Sequence, residues 1–179
     1  MKIPAAEPAA SPPPPRDPSQ PYRICVVCLG NICRSPMAER VLAAQLDLAG
    51  LAGRVEVDSA GTGDWHVGEA MDARARAELS RRGHDAGGHQ ARQIQPDWLD
   101  SYDLLLAMDG SNLTGLAALA AGKPDVAGRI MLLRAFDPAA DDGAEVPDPY
   151  YGGADDYVEV FDLVDAAVKG LVSRLAELL

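Results

Sequence analysis

Residues 24–36 constrain this 179-residue chain more than any other stretch. Residues 24–28 form a short apolar run that ends in Leu29-Gly30-Asn31, the pattern of a buried strand running into a loop. Ser35-Pro36 follows, a favoured helix N-cap before the residue favoured at the first helical position. Met37, Val41, Ala44 and Leu48 then recur at helical spacing until Gly50 and Gly53 stop the helix. The same rhythm continues. Residues 55–59, 104–108 and 129–133 read as strands, and residues 72–82 and 111–121 as helices ended by Gly83 and Gly122. A final helix spans about residues 155–179, where Phe161, Val164, Val168, Leu171, Leu175 and Leu178 form an apolar stripe. Such alternation predicts a single α/β domain: a four-stranded, mostly parallel sheet with helices on both faces. Ligands in such folds sit at the carboxyl ends of strands, which places interest on the loop after strand one.

Residues 1–21 read differently. They hold 8 of the 14 prolines and almost no large apolar residue, too little to offset their ordering entropy. A disordered, proline-rich tail is expected there, with the folded domain over residues 22–179. The longest apolar runs are about five residues, which excludes a membrane-spanning helix. No apolar leader is present at the N-terminus, and three cysteines do not make a disulfide scaffold, so a reducing, cytoplasmic setting is expected. The net charge of −11 argues against a nucleic-acid partner. Between residues 135 and 168 there are ten acids and no Lys or Arg. An anionic ligand must therefore be held by local groups rather than by the field of the whole chain.

The segment Cys28-Leu29-Gly30-Asn31-Ile32-Cys33-Arg34-Ser35 supplies such groups. Gly30 and Asn31 are the residue types that most easily take positive φ, so the loop can turn successive N–H groups inward as an anion nest. The helix that follows adds partial positive charge at its N-terminus. Arg34 offers a planar fork of donors for two phosphate oxygens. These groups favour a thiolate at Cys28 and would bind a tetrahedral dianion beside it, the arrangement for covalent phosphoryl transfer. A Cys and an Arg six apart recur readily by chance; the filled pattern between them does not. Cys25 and Cys28 also make a C-x-x-C, but residues three apart on a strand face opposite sides, so Cys25 is read as a buried small residue and a zinc site is not expected.

Residues 27–37 resemble the signature loop of the low-molecular-weight protein tyrosine phosphatases. The resemblance covers residues 22–179 and recurs at Asp58-Ser59-Ala60-Gly61-Thr62, Asp64-Trp65-His66-Val67-Gly68, His89-Gln90-Ala91-Arg92-Gln93, Met108-Asp109 with Asn112, and Asp148-Pro149-Tyr150-Tyr151. It implies a phosphotyrosine phosphatase with Cys28 as nucleophile, Arg34 as phosphate clamp and Asp148 as general acid. The loop residues Leu29, Gly30, Asn31, Ile32, Cys33 and Ser35 would bind substrate, with Trp65 and Tyr150 walling the pocket. Ser59 and His89 would support Asn31, and the Ser35 hydroxyl would stabilise the Cys28 thiolate as a leaving group. By themselves Asp148 reads equally well as a turn residue, Ser59 as a satisfied polar group, and His66, His84 and His89 as surface histidines. Further implications are a reversible disulfide between Cys28 and Cys33 under oxidation and, in some members, phosphorylation of the tyrosine pair. No metal or cofactor is implied; the expected partners are phosphotyrosine proteins, and the expected state is a monomer. Three alternatives carry less support. An arsenate reductase of the same fold that relies on thioredoxin needs cysteines beyond Cys33, and none occurs. A phosphoarginine phosphatase would carry Thr at the position of Ile32 and lack the tyrosine pair. A non-catalytic phosphotyrosine-binding module would have lost Cys28, Arg34 or Asp148.

Overall fold

The computed structural model describes residues 10–179. Four strands, β1 (Tyr22–Cys28), β2 (Val55–Gly61), β3 (Leu104–Ala107) and β4 (Ile130–Leu132), form one sheet in the order β2-β1-β3-β4. All three pairings are parallel, so the sheet is parallel throughout rather than mostly so. Helices α1 (Arg34–Leu48), α2 (Ala73–Arg81), α3 (Gly110–Leu119), α4 (Pro124–Ala127) and α5 (Ala154–Leu178) connect and cover it.

The central strand β1 reads as a nearly unbroken apolar run because both its faces are covered. Ile24, Val26 and Cys28 point into a core shared with Met37, Val41 and Leu42 of α1 and Val160, Val164 and Val168 of α5. Cys25 and Val27 point into the opposite core, with Leu105, Ala107 and Leu116. The alternation expected of a strand thus separates Cys25 from Cys28. Two 3₁₀ turns, Pro96–Ser101 and Leu133–Phe136, and the single-turn α4 have no counterpart in the sequence reading, because pieces this short carry no periodicity.

The expected disordered tail is corrected over residues 10–21, and the expectation for residues 1–9 lies outside the described residues. Pro12 is buried and Ala10 packs on the main core. The Arg16 N–H donates to Asp103 Oδ1 at 2.6 Å, and Arg16 Nε donates to the Tyr102 carbonyl at 2.8 Å. Tyr22 Oη donates to the Pro13 carbonyl, and Arg129 to that of Pro14. The prolines offer no N–H of their own, so Pro13 and Pro14 are held through their carbonyls, and the strap's donors come from Ala10 and Arg16.

Candidate active site

Connections from β1 and β3 leave in opposite directions across the sheet, which opens a crevice at their carboxyl ends. Residues 29–33 fill the mouth of that crevice between β1 and α1. Cys28, the last residue of β1, is buried; its Sγ lies 3.0 Å from Ser35 Oγ and accepts the Asn31 N–H at 3.3 Å. Ser35 Oγ itself accepts a hydrogen bond from Asn31 Nδ2 at 2.9 Å, so its own proton serves the Cys28 sulfur or the more distant Ala60 carbonyl at 3.4 Å. When sulfur carries negative charge, the Asn31 N–H and the Ser35 hydroxyl both donate to it and stabilise that charge. The sequence reading of Ser35 as N-cap is corrected: the N-cap is Cys33 and the helix begins at Arg34, two residues earlier, with no side-chain cap bond. Burial beside the thiol diverts the hydroxyl from capping to the sulfur.

Asn31 has φ +57°, the left-handed region, and is the one non-glycine residue there among the described residues. Its conformation is fixed from every side. Nδ2 also donates to Ser59 Oγ at 2.9 Å, Oδ1 accepts the Arg92 N–H at 3.0 Å, and its carbonyl accepts from His89 Nε2 at 2.7 Å. Ser59 in turn donates to Glu39 at 2.5 Å. Ser59 and His89 therefore meet Asn31 as expected from the resemblance. Glu39 and Arg92 join them without having been singled out as site residues, and residues 31 and 92 are too far apart in sequence to leave a local pattern. Gly61 closes the seat, since a Cβ there would come within 2.7 Å of the Leu29 carbonyl oxygen.

Arg34 is buried and reaches into the pocket from the first turn of α1. One guanidinium nitrogen donates to Asp109 Oδ2 at 2.6 Å and to the Val146 carbonyl at 3.1 Å; the other lies 3.5 Å from Asp148 Oδ2. Burial opposes its charge, but Cys28, Asp109 and Asp148 outweigh that and hold it above the ordinary arginine range. Asp109 caps α3 through the Asn112 N–H and braces Arg34 with its other oxygen. The motif Met108-Asp109…Asn112 carried that signal, although the pairing with Arg34 did not show in it.

Asp148 stands on an exposed turn opposite. Its Oδ1 accepts the Tyr150 N–H at 3.1 Å, leaving Oδ2 toward the pocket. The cavity between has a volume of about 450 Å³; Cys28 and Arg34 line its floor, Leu29, Trp65, Tyr150 and Tyr151 its apolar rim. Gly63 lets the Trp65 indole fold back over the backbone, where any Cβ would collide with the ring. His66 is not a plain surface residue: it lines the same cavity, its Nδ1 is 2.7 Å from Glu69 Oε2, and its ring sits 5.9 Å from that of Tyr150. His84 is half-buried against Phe161 instead, away from the cavity lining.

Cys33 is buried, with Sγ 3.3 Å from Tyr157 Oη. Burial pushes its thiol up to about 12, so it is a neutral thiol at ordinary pH. Among the described residues no group of His, Cys, Asp or Glu is arranged to hold a metal ion.

Residues 23–178 match the sequence profile of the low molecular weight phosphotyrosine protein phosphatases. The chain belongs to that family. A low molecular weight protein-tyrosine-phosphatase of Streptomyces coelicolor is 48% identical over 157 residues, covering 87% of this chain and 94% of its own. Protein-tyrosine phosphatase A of Mycobacterium bovis is 44% identical over 154 residues, covering 86% and 91%. Among solved structures, YfkJ from Bacillus subtilis superposes with a TM-score of 0.82 at 34% identity over 88% of this phosphatase and 96% of its own chain. Wzb of Vibrio vulnificus, solved in complex with benzylphosphonate, superposes at 0.72 with 29% identity, covering 85% and 97%. No helix of the phosphatase is long and apolar enough to cross a membrane, among the described residues.

Proposed function

We propose that this phosphatase hydrolyses phosphotyrosine in proteins through a cysteinyl-phosphate intermediate. The observation that carries this reading is the seating of Cys28 Sγ under two hydrogen-bond donors, with Arg34 and Asp148 across the same cavity. The dianion sits in the nest of residues 29–33, and Arg34 clamps its equatorial oxygens, where transition-state charge is spread. Cys28 Sγ attacks phosphorus in line as the bond to the tyrosyl oxygen breaks. Asp148 Oδ2 gives its proton to that oxygen, so tyrosine leaves neutral. Water then attacks phosphorus, its proton passes to Asp148, and the P–S bond breaks to return the Cys28 sulfur and free phosphate. Arg34, the loop N–H groups and the start of α1 supply the positive charge, and the scheme uses no metal or cofactor. Because Asp109 already braces Arg34 and caps α3, Asp148 is the carboxyl free for proton transfer.

The apolar rim of Leu29, Trp65 and Tyr150 suits an aryl group, and the benzylphosphonate complex of the Vibrio relative supports that choice. Ile32 and the Tyr150–Tyr151 pair favour phosphotyrosine over phosphoarginine. Cys33 would protect Cys28 by forming a disulfide with it after oxidation. The working form is a cytoplasmic monomer. Purified enzyme should hydrolyse para-nitrophenyl phosphate in the presence of EDTA and be inhibited by orthovanadate. A strict divalent-metal requirement, or thioredoxin-linked arsenate reduction exceeding the phosphatase rate, would overturn the reading. Trapping from lysate with Asp148→Ala should then identify the protein substrates.

A further inference from the structure

Asp148 is placed by a mostly exposed turn, and Arg74, outside the catalytic set, is among the side chains that reach it. The Gly152 N–H donates to the Pro149 carbonyl at 2.9 Å, closing the turn, and the Tyr150 N–H inside it holds Asp148 Oδ1 at 3.1 Å. Arg74, in the first turn of α2, donates from Nη1 to the Gly152 carbonyl at 3.2 Å. Its guanidinium also lies 5.7 Å from the Tyr150 ring centroid and 4.9 Å from that of Tyr157. Asp72 fixes the fork, accepting from Arg74 Nε at 3.0 Å and Nη2 at 2.9 Å. The Asp72 N–H in turn donates to the Ile32 carbonyl of the phosphate loop at 2.8 Å. His66, tied to Glu69, meets Tyr150 as a second ring contact.

Resting on the assignment of Asp148 as general acid, we propose that Arg74 is a positioning residue for proton transfer. It ties the acid turn to the phosphate loop through Gly152 and Tyr150 on one side and Asp72 and Ile32 on the other. Arg74 touches neither the phosphorus nor the leaving oxygen. It fixes the Tyr150 N–H, and that N–H decides which way the proton-bearing oxygen of Asp148 points. A misplaced acid slows a reaction in proportion to how badly the leaving group needs its proton. The signature of Arg74 is therefore a loss that grows with leaving-group basicity.

Single-turnover rates of Cys28 phosphorylation should be measured with phosphotyrosine and para-nitrophenyl phosphate for the unaltered protein, Arg74→Ala, Asp148→Asn and the double variant. Arg74→Ala should slow phosphotyrosine about 10-fold and para-nitrophenyl phosphate less than about 3-fold. In the Asp148→Asn background it should cost nothing further, since the two act through one proton. Arg74→Lys, which keeps the charge but loses the fork to Asp72, should recover part of the loss, and it carries the same comparison if Arg74→Ala does not fold. Equal slowing of both substrates, or a loss that persists without Asp148, would overturn the role of Arg74. If Asp148→Asn itself shows no leaving-group dependence, it is the acid assignment that fails.

Discussion

The two loops that face each other across the cavity are built by opposite rules. The phosphate loop, residues 29–33, grows from the central strand and is largely buried, with Asn31 anchored by Ser35, Ser59, His89 and Arg92. The acid turn, residues 148–153, is mostly exposed and is held by one internal turn, the Tyr150 N–H, Arg74, the His66 ring and Asp156, which accepts the Gly153 N–H. The difference follows from the two jobs. Charge stabilisation works best when dipoles are fixed before the substrate arrives. A proton donor must admit a bulky aryl group, release it, and then serve a water molecule from the same place. Rigidity is concentrated where the phosphoryl group is held.

The sharpest test of this contrast is removal of the nucleophile. Cys28→Ser should abolish turnover of aryl phosphates while the phosphate loop still binds vanadate or phosphate, read by isothermal titration; turnover by a folded variant would end the assignment. Next in size is Asp148→Asn, which should slow phosphotyrosine cleavage by about 100- to 10,000-fold and para-nitrophenyl phosphate less, with melting temperature nearly unchanged. Asn31→Ala should cost stability as well as activity. It leaves buried partners unsatisfied, so stability should fall by about 1–3 kcal/mol in urea titration, together with a loss of turnover. Equal destabilisation by both substitutions would erase the distinction between the loops.

Two smaller effects sharpen it. The folded Cys33 thiol is raised, from an ordinary 9.0 to about 12. Burial thus favours the folded state below the unfolded value, and this contribution is lost as pH rises through the folded one. At pH 7 iodoacetamide should therefore label Cys28 and leave Cys33 unlabelled in folded protein, read by peptide mass mapping. After peroxide treatment and thiol reduction, Cys33→Ser should recover less activity than the unaltered chain; equal recovery would refute its protective role. The smallest effect on catalysis belongs to the strap. Asp103→Ala should release the N–H groups of Arg16 and Arg23 and cost about 1–3 kcal/mol, or about 2–4 °C of Tm per kcal/mol, with turnover unchanged.

Features visible in the sequence were those written in consecutive residues. The apolar run of β1, the Gly-Asn turn and the stripe on α5 each carry their own period or turn chemistry, so the layered fold and the phosphate loop could be read directly. Arg34 with Asp109, and Asn31 with Arg92, are pairings 75 and 61 residues apart and leave no spacing to detect. The residue type of Ser35 suits a helix cap, and that reading fails; the resemblance directs its hydroxyl to the Cys28 sulfur, and the two atoms lie 3.0 Å apart. The strap misled for a related reason. Its composition reads as disorder, but the partners that order it, Tyr102, Asp103 and Arg129, lie on the body far along the chain. His66 was legible only as a neighbour of Trp65 until folding placed it over the phosphate loop.

The middle position of β1 has a further consequence for how the enzyme comes into being. Its pairings are all long-range: Tyr22 aligns with Val55, and Ile24 with Leu104. Each demands closure of a long loop before any ladder bond is gained, which slows folding of parallel sheets. On the ribosome the nucleophile emerges early, but β3, which covers one edge of its strand, is not available until residue 104 and its followers have been made. The Asp109 that braces Arg34 comes later still. A nascent chain carries Cys28 long before it carries a seat for phosphate, so catalytic competence arrives late in synthesis, with the thiol exposed to oxidants in the interval.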